Sequence, residues 1–212
     1  EYLPAGTPFE LVDVGAGAGL LGEFLSRDRP LATYRFVEPI ESLRQRLRTE
    51  YGKPSDAGDL EQYASAQFVA LLDVLEHQEG DRDFMRRLVD RMVPDSTLLL
   101  TVPALQRLWS GWDVSLGHFR RYDKATLLGC IDGLPLKVNE MCFLFPEMVP
   151  LGMLRARRSA LGTEVAADGQ SEFPNLPRIA NDLLYGLGSV SLKMRRRWTV
   201  GTSLFMSATV SE

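Results

Sequence analysis

Four groups of residues in this sequence have types and spacings suited to chemistry. The sharpest is Asp13-Val-Gly15-Ala-Gly17-Ala-Gly19, where alternate glycines let the main chain approach a bound molecule with no Cβ in the way. Glu76-His77 sets a carboxylate beside an imidazole, a pair suited to proton transfer or metal binding. It lacks the second His that a zinc-binding helix needs, so the expected role is capping of the following helix, and no metal site is expected. The segment from Trp109 to Tyr122 gathers Trp109, Trp112, Asp113, His118, Arg120, Arg121 and Tyr122, the densest mixture of aromatic and ionisable side chains in the chain. Such density on a loop reads as binding or catalysis; the plainer alternative is that Tyr122 and Trp109 pack a lid while the arginines pair with acids. The basic runs Arg155-Ala-Arg-Arg158 and Lys193-Met-Arg-Arg-Arg197 read as solvated faces, with an anion-binding surface as the sharper option.

These residues need elements to hold them. Phe9 to Val14 is a short apolar run ending in the glycines, after which Leu20, Leu21, Phe24 and Leu25 recur at helical spacing, giving strand, loop and helix. Thr33 to Val37 predicts a second strand, and Ile40, Leu43, Leu47 and Tyr51 share one face of a second helix. Phe68 to Leu75 is an apolar strand broken only by Asp73; a helical stripe of Phe84, Leu88, Val89 and Met92 leads to the strand Thr97 to Val102. Strands so continuously apolar are buried on both faces, and their alternation with helices demands crossover connections. A doubly wound α/β fold with a mostly parallel sheet follows. Further on, Asp123 can N-cap a helix reaching Ile131, Leu136 to Phe143 predicts a strand, Met148 to Arg158 and Ile179 to Met194 predict helices, and Gly201 to Val210 predicts the last strand. Gly162 to Pro177 has a polar, Gly- and Pro-containing loop composition.

The bulk properties set limits on partners. At 212 residues the chain is read as one domain, 1–212, able to close a substantial core. A net charge of −4 and a pI near 5.4 provide no chain-wide positive field for a nucleic-acid backbone, so no nucleic-acid partner is expected. Cys130 and Cys142 have no CxxC spacing and are expected to be reduced and buried. No apolar run reaches the roughly 18–20 residues that span a bilayer, and the expected location is cytoplasmic. The chain opens at Glu1 rather than Met, from which residues upstream are expected.

The glycine loop departs from the dinucleotide pattern GxGxxG, because Leu20 occupies the sixth position and the third glycine comes one residue early. It resembles instead the first motif of the class I S-adenosylmethionine-dependent methyltransferases, an acid and one residue before GxGxG, matched by Asp13, Gly15, Gly17 and Gly19. The resemblance implies a Rossmann-like, seven-stranded sheet with helices on both faces and an antiparallel last strand, and S-adenosyl-L-methionine as cofactor, with S-adenosyl-L-homocysteine as its product. By the same resemblance Asp13, Gly15, Ala16, Gly17 and Gly19 would hold the cofactor's amino-acid end. Glu38 would accept from its ribose hydroxyls beside Pro39, and Asp59 with Leu60 would meet its adenine. Leu72-Asp-Val-Leu-Glu-His77 is similar to the segment that follows the fourth strand in one large branch of the family, which would put Asp73, Val74 and Leu75 against the methionyl part. Pro94-Asp95-Ser96 replaces that family's usual Pro-Gly-Gly turn, and Asp and Ser suit a turn as well.

Gly117-His118 and Arg120-Arg121-Tyr122 resemble a subgroup in which this segment faces the acceptor, making residues 104–122 and 144–200 the acceptor side. The resemblance covers nearly the whole chain, short of a cofactor-covering segment at the N-terminus. Methyl transfer needs positioning and exclusion of water more than it needs a metal. A hydroxyl acceptor must lose a proton, which makes His118 the candidate general base, with Asp113 and Tyr122 as further catalytic candidates. Aromatic faces and carboxylates suit a sulfonium, and Trp109, Trp112 and Asp113 can supply them. The acceptor is expected to be a small molecule or glycan-like. A non-catalytic cofactor- or partner-binding module and a nicotinamide-type oxidoreductase stay open as alternatives, and O, N and C stay open as the methylated atom.

Overall fold

The computed structural model describes residues 2–52, 56, 66–162 and 178–211. Asp59, Leu60 and residues 163–177 of the expected loop lie outside the described residues. Strand β1 (Phe9–Val14) sends Val12 and Val14 to one side and Leu11 to the other, all of them buried, as a strand covered on both faces must. It leads into α1 (Leu20–Asp28), β2 (Ala32–Val37) and α2 (Glu41–Tyr51), the two βα units expected. Strand β3 (Phe68–Leu72) is shorter than the sequence predicts: Asp73 has φ 54°, and residues Leu75–His77 turn into a single 3-10 turn. The predicted capping role of Glu76 and His77 is therefore corrected. Helix α3 (Asp81–Val89) starts after Gly80 with no side-chain cap, its dipole met by Asp81 and Asp83 in the first turn and by Arg86 and Arg87 in the last.

At the turn before β4 (Thr97–Pro103), Asp95 takes φ 64°, a left-handed conformation that Asp tolerates better than most residues, and Ser96 Oγ closes the turn on the Val93 carbonyl. Short α4 (Gly111–Ser115) is closed by a capping box of Ser110 and Asp113. In α5 (Lys124–Ile131) the predicted cap is present, Asp123 accepting from Thr126 N at 2.8 Å. Strand β5 (Leu136–Leu144), α6 (Val149–Ala160), α7 (Arg178–Lys193) and β6 (Ser203–Val210) complete the chain.

The sheet order is β2-β1-β3-β4-β6-β5, all parallel except β6, which runs antiparallel between β4 and β5. Six strands stand among the described residues where seven were expected; Asp56 adds an isolated parallel bridge to Phe36 on the far side of β2. The insertion of an antiparallel last strand departs from the dinucleotide-binding order, in which the strands run parallel. On one face α3 and α5 bring Phe84, Met85, Leu88, Leu127 and Ile131 onto Val12, Val69, Leu100 and Met206. On the other, Leu25 of α1 and Leu47 of α2 pack on Phe9, Leu11, Phe36 and Ala70. Cys130 and Cys142 are buried free thiols. No helix among the described residues is long and apolar enough to cross a membrane.

Candidate active site

The strand order reverses between β1 and β3, and ligands of open α/β sheets bind where the carboxyl ends of the strands part in this way. Two loops meet there, residues 15–19 after β1 and residues 73–77 after β3. Gly15, Gly17 and Gly19 all have positive φ, at 74°, 56° and 82°. They differ in why they are glycines. A Cβ on Gly15 would lie 2.6 Å from Val74 Cγ2, and one on Gly19 would lie 2.6 Å from Leu47 Cδ2. Those two positions are closed by the β3 loop and by α2. Among the described residues a Cβ on Gly17 would meet only the Gly15 carbonyl, at 3.9 Å, which leaves open space beside this residue within that set.

Two buried carboxylates flank the loop. Glu38, 3% exposed, accepts from Gly17 N at 2.7 Å through one oxygen and from Ile40 N at 2.8 Å through the other, which ties the loop to the end of β2. Each oxygen keeps a second lone-pair direction for a further donor. Asp13, 4% exposed, accepts from the Tyr34 hydroxyl at 3.0 Å. Burial raises its carboxyl to about 6, the Tyr34 bond opposing and the Glu38 charge adding to the rise. Pro39 is exposed next to Glu38, and Ala16 packs on the α1–α2 core. An open cradle over glycine backbone, with one carboxylate at the end of each of two neighbouring strands, fits a ligand carrying an ammonium and a diol.

Val74 covers Gly15, and its neighbour Asp73 lines a cavity of about 510 Å³. Its walls include Glu76, His77, Trp112, His118 and Arg121, closed over by Phe145, Met148, Leu151 and Arg155 around the start of α6. The Arg155 guanidinium lies 4.9 Å from the centre of the Trp112 ring. His118 presents its Nδ1 to Asp113 Oδ1 at 3.1 Å, and its Nε2 lies 4.0 Å from Glu76 Oε1. A carboxylate acceptor at Nδ1 fixes the ring proton there and leaves the Nε2 lone pair toward the cavity.

Asp113 itself does not line this space. It is fully buried, receives Arg121 Nε at 2.7 Å and Ser110 N at 2.9 Å, and touches the cavity only by way of His118. Burial opposes its ionisation, but the bonds from His118, Arg121 and Ser110 outweigh it and hold the carboxyl below its usual range. Tyr122, placed by the sequence among the catalytic candidates, belongs to the core: it is 1% exposed, and its hydroxyl donates to Asp81 at 3.0 Å. Leu75 is likewise fully buried, in the core cluster against α3. Trp109 does not reach this cavity, whereas Trp112 does. Arg120 pairs with Asp81 at 2.7 Å, so the arginines of this segment do pair with acids, while His118 faces the cavity.

Sequence reasoning singled out Glu76 beside His77 but assigned it to helix capping, whereas the structure buries it against this cavity. Burial, with Asp73 and Asp113 nearby, raises its carboxyl to about 8, and among the described residues its buried Oε2 has no hydrogen-bond partner. The second imidazole found wanting beside Glu76-His77 comes from His118, whose ring centre is 4.8 Å from that of His77.

No family model matches the sequence, and no curated protein matches it. Solved structures do match. A methyltransferase dependent on S-adenosylmethionine from Mesorhizobium loti superimposes with a TM-score of 0.61 at 13% identity, over 98% of this chain and 93% of that one. Phosphoethanolamine N-methyltransferase 2 of Haemonchus contortus, solved with S-adenosyl-L-methionine, gives 0.56 at 14% identity over 99% of this chain and 50% of that one. The 4+2 cyclase SpnF gives 0.56 at 13% over 97% and 76%. The chain therefore has the fold of the class I S-adenosylmethionine-dependent methyltransferases, a fold that also houses at least one cyclase.

Proposed function

We propose that this protein is an S-adenosylmethionine-dependent methyltransferase acting on a small-molecule or glycan-like acceptor. What carries the reading is Gly17, a left-handed glycine with open space beside it, set between buried Asp13 and Glu38 where the strand order of this methyltransferase-type sheet reverses. Asp13 would take the cofactor's ammonium end, Glu38 its ribose hydroxyls, and Asp59 with Leu60 its adenine. When bound, the cofactor supplies a methyl group on a sulfonium, which an acceptor atom takes in line. Trp112 and the residues at the start of α6 enclose the acceptor and exclude water. For a hydroxyl acceptor, His118 Nε2 takes the proton, and Asp113 holds the imidazole in the correct tautomer and stabilises its charged form.

The test is calorimetric titration of the protein with S-adenosylhomocysteine, beside a Gly17→Ala variant and with NAD as a control. Micromolar binding to the parent, lost in a variant that still folds, supports the reading. Binding of NAD instead would move the protein to the oxidoreductases, and binding of neither by a folded protein would favour a partner-binding module.

A further inference from the structure

The acceptor cavity holds a group of side chains that proton transfer alone does not explain. Glu76, His77 and His118 each offer one ligand atom, and these atoms lie within 4.8 Å of one another. Glu76 is 1% exposed, yet among the described residues its Oε2 has no hydrogen-bond partner, an expensive arrangement for the ionised carboxylate unless a cation or donor answers it. We propose that Glu76, His77 and His118 bind one divalent transition-metal ion in the wall of the acceptor cavity.

Two imidazoles and one carboxylate form a ligand set that suits zinc, cobalt or iron(II), not the all-oxygen shells of calcium or magnesium. Three protein ligands with positions left open toward a cavity is the arrangement of a catalytic rather than a structural site. Bonds of roughly 2.0–2.2 Å place tetrahedral ligand atoms about 3.3 Å apart. Closing from the present spacing asks for small side-chain rotations, most freely from His77, which is the exposed member.

The backbone under the three ligands is already tied together: Phe119 N donates to the Glu76 carbonyl at 2.8 Å, and His118 N to the Asp113 carbonyl at 3.0 Å. The Asp113–His118 bond is the outer-shell contact that orients metal-bound histidines, a carboxylate receiving the ring N–H opposite the liganding nitrogen. The site does not depend on the cofactor assignment. Its occupancy would take Nε2 of His118 away from proton transfer and set a Lewis acid beside an acceptor oxygen instead.

The test uses the full, untagged chain, stripped with a chelator and titrated with Co²⁺ while the visible d–d absorption is followed, then with Zn²⁺ in competition. One equivalent of Co²⁺ producing tetrahedral or five-coordinate bands, displaced by Zn²⁺, is expected. Glu76→Gln, nearly the same size, and His77→Ala, at an exposed position, should each weaken binding at least tenfold, and Asp113→Asn by about 10–100-fold through His118. Absence of a saturable band in folded parent protein would overturn the site, as would parent-like affinity in folded Glu76→Gln and His77→Ala. S-adenosylhomocysteine binding, measured on the same samples, reports separately on the methyltransferase reading.

Discussion

Single side chains in this site divide by what they touch. Asp113 holds His118, closes the α4 capping box and pairs with Arg121, all from full burial. In Asp113→Asn the Arg121 guanidinium loses its carboxylate and the His118 tautomer is no longer fixed. The expected outcome is a loss of about 3 kcal/mol in a urea titration. On an acceptor found by screening, kcat should also fall about 100-fold with KM little changed. Tyr122→Phe removes only a hydroxyl bonded to Asp81 in the core, so stability should drop by about 1.5 kcal/mol while turnover holds. A large loss of turnover in a stable Tyr122→Phe protein would restore Tyr122 to the catalytic set. Asp13 makes a pH prediction. Its carboxyl ionises at about 6 in the folded chain, against 3.8 ordinarily, and only the ionised form pairs with an ammonium. Affinity for S-adenosylhomocysteine should rise as pH increases through about 6, as calorimetry across pH would show. The sign is opposite for the unliganded fold. A raised carboxyl adds stability below 3.8 and loses it as pH climbs through about 6.

At the scale of elements, the glycines separate packing from function. A Cβ on Gly201 would fall 2.1 Å from the Leu144 carbonyl oxygen, where β5 ends and the chain approaches β6. Backbone cannot yield there as a side-chain tip can, so Gly201→Ala should pull β5 from β6 and lower the melting temperature strongly, or yield no folded protein. Gly133, with φ 77° and nothing among the described residues within 4 Å of a Cβ, makes the control: Gly133→Asn meets only backbone strain, which Asn tolerates better than most residues, and should lower the melting temperature far less than Gly201→Ala. The strands and the α5 cap were readable because periodicity and a capping residue act within a few positions of sequence. The end of β3 was not. Its apolar run continues to Leu75, but Asp73 turns left-handed and Leu75 enters the core from a 3-10 turn instead. Likewise Gly17 looks the same as Gly15 and Gly19 in sequence, and only the neighbours brought by β3 and α2 tell them apart.

For the molecule as a whole, the cradle joins the ends of β1 and β2 to the loop after β3, so a ligand bound there bridges both halves of the sheet. S-adenosylhomocysteine at 100 times its Kd should add about 2.7 kcal/mol to stability, a rise of roughly 5–10 °C in Tm, which a thermal shift assay would detect; no shift at saturation would count against binding to the native state. What the sequence determined by itself was local: the alternation of strand and helix, the glycine loop and its acid, the Asp123 cap, and a cluster of reactive side chains around His118. Those follow from apolar period and backbone preference, which depend on near neighbours. Tertiary structure decided which members of that cluster face the cavity. Packing sent Tyr122 to Asp81 and Asp113 beneath His118, and it brought His118 beside Glu76-His77 from 41 residues away. Side-chain neighbours across the sheet are set by strand order and chain crossings, and no spacing within the sequence encodes them.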